Sequence, residues 1–174
     1  MTSKSLSACV HPDLLAAQNI AYAPSGLIID KLKREAESED YGAFEFAMNL
    51  WQIKFRVAKI TPTKTGQFVT LWKRIGNGPI LPYDMVDPVD FFVISVRTPE
   101  HFGQFVFPKT LLCEKGIVSK AGEGGKRAIR VYPPWGTPAN SQAKRTQAWQ
   151  LLYFFEMHPN TPLDALRIQQ LFRG

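Results

Sequence analysis

The chain has 174 residues, 45% of them apolar, and Phe alone contributes twelve. That length suits one domain spanning 1–174 with a substantial core, and the composition excludes a disordered chain or a small disulfide-stapled one. A formal charge of +6 favours an anionic partner such as nucleic acid, an anionic cofactor or an acidic protein, and two widely separated cysteines, Cys9 and Cys113, fit a reducing cytoplasm.

In chain order, the N-terminal stretch lacks the apolar run of a leader, and the longest apolar runs, such as 91–96, are far too short to span a membrane. A soluble, cytoplasmic protein with no membrane partner is expected. Pro12 and Asp13 introduce a short amphipathic helix with Leu14, Ala17 and Ile20 or Tyr22 on one side. After Pro24-Ser25-Gly26, the spacing of Leu27, Ile28 and Leu32 predicts a second helix. It runs into the acidic cluster Glu35, Glu37, Glu39 and Asp40, at the end where the macrodipole disfavours negative charge.

Residues 43–48 read as a strand and Asn49-Leu50 as a turn, followed by a basic hairpin over 53–74. Gly76, Gly78 and Pro79 open a long loop through Pro82, Asp84 and Pro88, and strands are expected at 90–96 and 103–108. A single helical turn at 110–114 stops at Gly116, and a glycine-rich loop over 119–126 leads to a strand at 128–132. Pro133-Pro134-Trp135-Gly136 forms a rigid corner. Two helices finish the chain, 142–157 and then 162–172 with Thr161 as N-cap and Pro162 at N1. The order defines an α+β fold: a central, mainly antiparallel sheet flanked by N-terminal and C-terminal helices, with a restriction-endonuclease-like arrangement as one candidate.

The hairpin carries Lys54, Arg56, Lys59, Lys64, Lys73 and Arg74 with no acidic residue among them. Like charges opposed across strands repel, so a hairpin built for stability alone mixes signs. With Ile60 paired to Gln67 around a 61–66 loop, Lys54 lies opposite Lys73, Arg56 opposite Leu71, and Phe55 opposite Trp72; a one-residue slip exchanges the faces. The set reads either as long stems covering apolar surface with their heads in water, or as a groove whose cations track phosphates. A second cationic spot lies at the start of the helix near Gln142, capped by Asn140 or Ser141. There Lys144 and Arg145 occupy the first turn beside free backbone N–H groups. Trp135 either offers a stacking surface nearby or plugs the corner. Arg97 and Lys109 either extend the basic surface or simply terminate buried strands.

Catalytic signatures are sparse. There is no nucleophile elbow, P-loop or dinucleotide fingerprint, and Gly122-Glu123-Gly124-Gly125-Lys126 lacks phosphate-loop spacing. His11, His101 and His158 are scattered, with no paired spacing for zinc. Glu45 in the first strand and Asp90 at the start of an apolar one are the candidate ligands of a divalent metal. Gln52-x-Lys54 is similar to the acidic-or-Gln-x-Lys element of restriction-endonuclease-like folds. No cofactor is expected, apart from that metal if the protein is a nuclease.

Longer stretches resemble the MepB family, named from a protein encoded beside a staphylococcal multidrug-efflux pump and its regulator. They are residues 53–74, 87–96, 101–109 with 111–119, 130–135, and the segment 145–156. The resemblance spans about Tyr41 to Glu156 and implies no established activity. It implies neither a pump nor a helix-turn-helix repressor. The leading expectation is a nucleic-acid-binding protein using Lys54, Arg56, Lys64, Lys73, Arg74, Lys144 and Arg145, with Arg97, Lys109 and Trp135 as further contacts. A metal-dependent nuclease with Glu45 and Asp90 is the second. The third is a regulatory binder of a small anionic ligand or a protein, with a closed pocket lined by Arg97, Lys109 and aromatics.

Overall fold

The computed structural model describes residues 9–173; residues 1–8, part of the stretch read for a leader, and residue 174 lie outside the described residues. Alternating apolar residues in the middle of the chain build one six-stranded sheet. Its strands are β1 (Ile29–Arg34), β2 (Phe44–Met48), β3 (Trp51–Val57), β8 (Phe91–Arg97), β9 (Phe102–Pro108) and β11 (Phe154–Glu156), in that spatial order. Only β3 and β8 run parallel; every other neighbouring pair is antiparallel. β4 (Lys59–Ile60), β5 (Gln67–Thr70) and β10 (Ala128–Val131) form a small second sheet, and β6 (Lys73–Arg74) pairs with β7 (Ile80–Leu81). Among the described residues the α-helices are α1 (Pro12–Ala17), α2 (Lys109–Glu114), α3 (Ser141–Gln150) and α4 (Ala165–Leu171). The fold is therefore α+β around a mainly antiparallel sheet, and no described helix is long and apolar enough to cross a membrane.

The near-continuous apolar run of β8 reflects burial on both faces. Phe91 and Val93 enter one core with Leu14, Tyr22, Ile168 and Phe172 from the terminal helical segments. Phe92, Ile94 and Val96 enter a second core with Val69, Ile129 and Leu112, beneath the small sheet and α2. Glu45, Lys54 and Arg56 lie on this second face, because Glu45 opposes Lys54, Lys54 is level with Phe92, and Arg56 with Ile94. The small sheet covers the face at the β8–β9 end. Over β1 to β3 it opens into a cleft.

Four expectations are corrected. The second helix is strand β1, and its misleading spacing has a local cause. Of the expected stripe, Leu27 is buried just before the strand but Ile28 is 71% exposed. Lys31 has φ of 54° and the β1–β2 register shifts between Asp30 and Lys33, so Leu32 turns inward with Ile29 instead. The basic hairpin keeps its predicted pairing of Ile60 with Gln67, but it changes sheet at Ala58. Both edges of β3 are already taken by β2 and β8, so Lys54–Lys73, Arg56–Leu71 and Phe55–Trp72 never face one another. The helix expected over 142–157 stops at Gln150, whose buried amide accepts from Tyr132 N and donates to Arg130 O. Phe154-Phe155 then continues as strand β11 against β9. The last helix begins at Ala165, because Asp164 rather than Thr161 supplies the capping oxygen, to Arg167 N at 3.0 Å. In the first helical segment Tyr22, not Ile20, is the buried residue. Asn140 is the cap of α3, accepting from Ala143 N at 2.8 Å.

Candidate functional site

Alternation along β2 and β3 places Glu45, Gln52, Lys54 and Arg56 on the floor of the open cleft, which measures about 920 Å³. One wall is β1 and the turn after it, with Lys33, Arg34, Glu35 and Glu37. The other carries Trp72, Lys73, Arg74, Tyr83 and Asp87. Seven cationic side chains and four carboxylates line the space.

At its centre Lys54 Nζ sits between two carboxylates, 2.7 Å from Glu35 Oε1 and 2.5 Å from Glu45 Oε2. The other oxygen of Glu35 accepts from Arg56 Nη1. Arg56 is 1% exposed, donates also to Phe55 O at 2.9 Å and to the Tyr83 hydroxyl at 3.2 Å, and leaves its Nε without a partner among the described residues. Toward the rim, Lys73 pairs with Asp87 at 2.7 Å and Arg74 with Glu37 at 2.9 Å, the Arg74 guanidinium lying 5.5 Å from the centre of the Trp72 ring.

These contacts shift titrations. The hydrogen bond from Lys54 holds the Glu45 carboxyl below the usual glutamate range despite partial burial. Burial pulls Lys54 down, yet Tyr83, Glu35 and Glu45 together keep it above the ordinary lysine value. Burial raises the Tyr83 phenol, outweighing the nearby Arg56. Perturbed titratable groups gathered in one open cleft mark a functional-site candidate.

The structure brings Lys54, Arg56, Lys73 and Arg74 into this one cleft, though each is already held by a carboxylate. The other basic candidates lie elsewhere. Lys64 is exposed at the tip of the 61–66 loop. Arg97 pairs with Asp13 at 2.8 Å over the Phe102 ring, and Lys109 Nζ donates to Asp87 O at 2.8 Å. These two end opposite extremes of the β8–β9 pair, roughly 20 Å apart at strand rise, so they do not line one closed pocket. Trp135, half-buried, stacks on His101 at 4.7 Å and meets Phe154 edge-on at 5.9 Å. Lys144 and Arg145 are exposed near the start of α3, Lys144 at the end of its first turn and Arg145 at the start of its second.

Asp90 is engaged by the backbone: its carboxylate accepts from Gln52 N at 2.8 Å and fastens β8 to β3. Strand spacing puts its Cα roughly 12 Å from that of Glu45, two strands across and two residues along the sheet. No cluster of three or more His, Cys, Asp or Glu able to hold a metal occurs among the described residues. Glu45 and Asp90, each tied to its own partner, Lys54 and Gln52 N, do not pair as the sequence reading expected. Glu35, Trp72, Tyr83 and Asp87 escaped the sequence reading as site residues; only the acidic run at 35–40, set against helix chemistry, signalled that Glu35 had another task.

An α+β fold whose central sheet opens on one side into a charged cleft is the class these features define. The MepB-like family matches residues 35–156, and the chain belongs to that family. A solved structure described as MepB is 35% identical, covering 93% of this chain and all of its own, with a TM-score of 0.73. A bacterial homing endonuclease of known structure is 15% identical over 81% of this chain and 87% of its own, at a TM-score of 0.43. No curated protein matches the chain.

Proposed function

We propose that the cleft binds the phosphodiester backbone of a nucleic acid. One observation carries the reading: seven cationic side chains against four carboxylates line a single open space of about 920 Å³. Lys31, Lys33, Arg34 and Arg74 are exposed at its edges, where phosphates are reached without unfolding the buried network. Lys54 and Arg56 contribute positive potential from the floor and orient Glu35 rather than touching ligand first. Lys144 and Arg145, solvated at the start of α3, are a second cationic contact under the same reading.

The test is fluorescence anisotropy with labelled 15-mers of DNA and RNA, single- and double-stranded, at two salt concentrations and with or without Mg²⁺. Lys33→Glu/Arg34→Glu alters two rim residues whose own pairs, with Glu45 at 3.7 Å and Glu39 at 3.3 Å, are surface contacts. The double variant is expected to weaken binding about tenfold or more at low salt and to flatten the slope of log K against log salt by about one per lost phosphate contact. Salt-independent binding, or an unchanged double variant, rejects the reading.

A further inference from the structure

We infer that the outer face of the small sheet β10-β5-β4 is a separate stacking platform for single-stranded nucleic acid. The inference goes beyond the cleft and rests on different residues. Lys59 on β4, Phe68 on β5 and Arg130 on β10 stand directly opposite one another in register, so a cation, an aromatic ring and a cation form one row across three strands. Tyr41 meets Phe68 edge-on at 6.2 Å, Lys59 Nζ lies 4.6 Å from the centre of the Tyr41 ring, and Arg130 Cζ lies 5.7 Å from that of Phe68. Arg130 also donates to Thr65 O at 3.3 Å, which ties the row to the loop bearing exposed Lys64.

The opposite face of the same strands explains why this one is available. Gln67, Val69, Ile129 and Val131 point inward and are buried, so the sheet is already anchored. The outer row adds the half-buried Phe68 ring and charge that the core does not use, beside Tyr41, which also packs against the second core. In the cleft the floor and far-wall cations hold carboxylates. Among the described residues none of Lys59, Lys64 and Arg130 has a carboxylate within ion-pair distance. Unneutralised cations interleaved with aromatic rings on a rigid sheet complement a ligand that is both anionic and planar. Bases stack on rings and on guanidinium planes, while lysines take phosphates. A duplex hides its base faces; a single strand presents them.

A 15-mer of deoxythymidine carrying 5-iododeoxyuridine tests this by photocrosslinking and peptide mapping on the wild-type protein. Anisotropy of Lys59→Glu/Arg130→Glu, compared with the cleft double variant, accompanies it. Crosslinks at Tyr41 or Phe68, an about tenfold affinity loss in Lys59→Glu/Arg130→Glu, and preference for single strand over duplex are expected. Crosslinks confined to cleft residues such as Trp72, with full affinity in that variant, overturn the platform and leave the cleft reading standing. Loss only in Lys59→Glu/Arg130→Glu upholds the platform and removes the cleft. A poly-glutamate peptide binding as tightly as the oligonucleotide overturns it in favour of an acidic protein, and no nucleic-acid binding by wild type overturns both.

Discussion

Glu35 shows what a single residue decides in this protein. Its carboxylate satisfies Lys54 with one oxygen and the nearly inaccessible Arg56 with the other. Removing one member of a buried ion pair strands the other charge, so Glu35→Ala is expected to cost about 3–5 kcal/mol in urea unfolding. A cost near zero would show that solvent rescues Arg56. Glu45 differs because it is partly solvated and titrates. Its folded pKa is depressed by Lys54, so its contribution is present above the ordinary glutamate value and is lost as pH falls through the lower folded one. Acid unfolding followed by circular dichroism should therefore be shallower in Glu45→Gln than in wild type across that window, and parallel curves would refute the coupling. The hairpin's cations were legible in the sequence; their partners were not. Glu35 lies nineteen residues before Lys54, and Asp87 fourteen after Lys73, distances that no local pattern spans.

At the scale of elements, two close approaches make local demands. A Cβ on Gly103 would lie 2.4 Å from the Phe154 ring and 2.7 Å from Phe155 O, so β11 lies on β9 only because that position is bare. Gly103→Ala is expected to destabilise by about 1–3 kcal/mol and to speed amide exchange in residues 154–156, whereas wild-type exchange there would place the strain elsewhere. Asp84 holds the glycine-rich loop: it accepts from Gly122 N at 2.9 Å, Ser119 Oγ at 2.7 Å and Val86 N at 3.1 Å. Those bonds, the Gly122 amide first, lower its pKa from 3.8 to about 2. The contribution is thus complete above 3.8 and disappears only as pH drops through about 2. Gly122 amide protection measured by NMR should follow that window and vanish in Asp84→Ala, which removes the acceptor. Strands 44–48, 91–97 and 102–108 were readable because long apolar runs and a two-residue turn leave little choice. β1 was not, since Leu27 and Ile28, two of the three residues read as a helical stripe, precede the strand, and the bulge at Lys31 breaks the strand's alternation. The 142–157 segment was misread because a buried side chain on Gln150 and aromatic pairing with β9, both tertiary, end the helix early.

At the scale of the molecule, the two hydrophobic cores are the two faces of one strand. Trp51 packs against Phe91 in the first and Trp149 against Phe107 in the second, so two indoles report on opposite sides of the sheet. Phe92→Ala, at a fully buried position, is expected to cost about 3–5 kcal/mol and to shift both signals together in a single transition. Separate midpoints, read from single-tryptophan variants, would mean that the cores unfold independently. The same shared sheet sets the charge layout. Where the small sheet and α2 cover it, the second face is apolar; where they end, it carries Glu45, Gln52, Lys54 and Arg56.

The amino-acid order alone established an α+β class, the buried strands, the concentration of cations around 53–74 and membership of a family, since these follow from composition, periodicity and long runs of matching text. Folding in three dimensions decided which cations are neutralised and which are left bare. That depends on carboxylates brought from distant segments by strand register. Electrostatic pairing acts over a few ångströms of space, while a sequence records only separation along the chain.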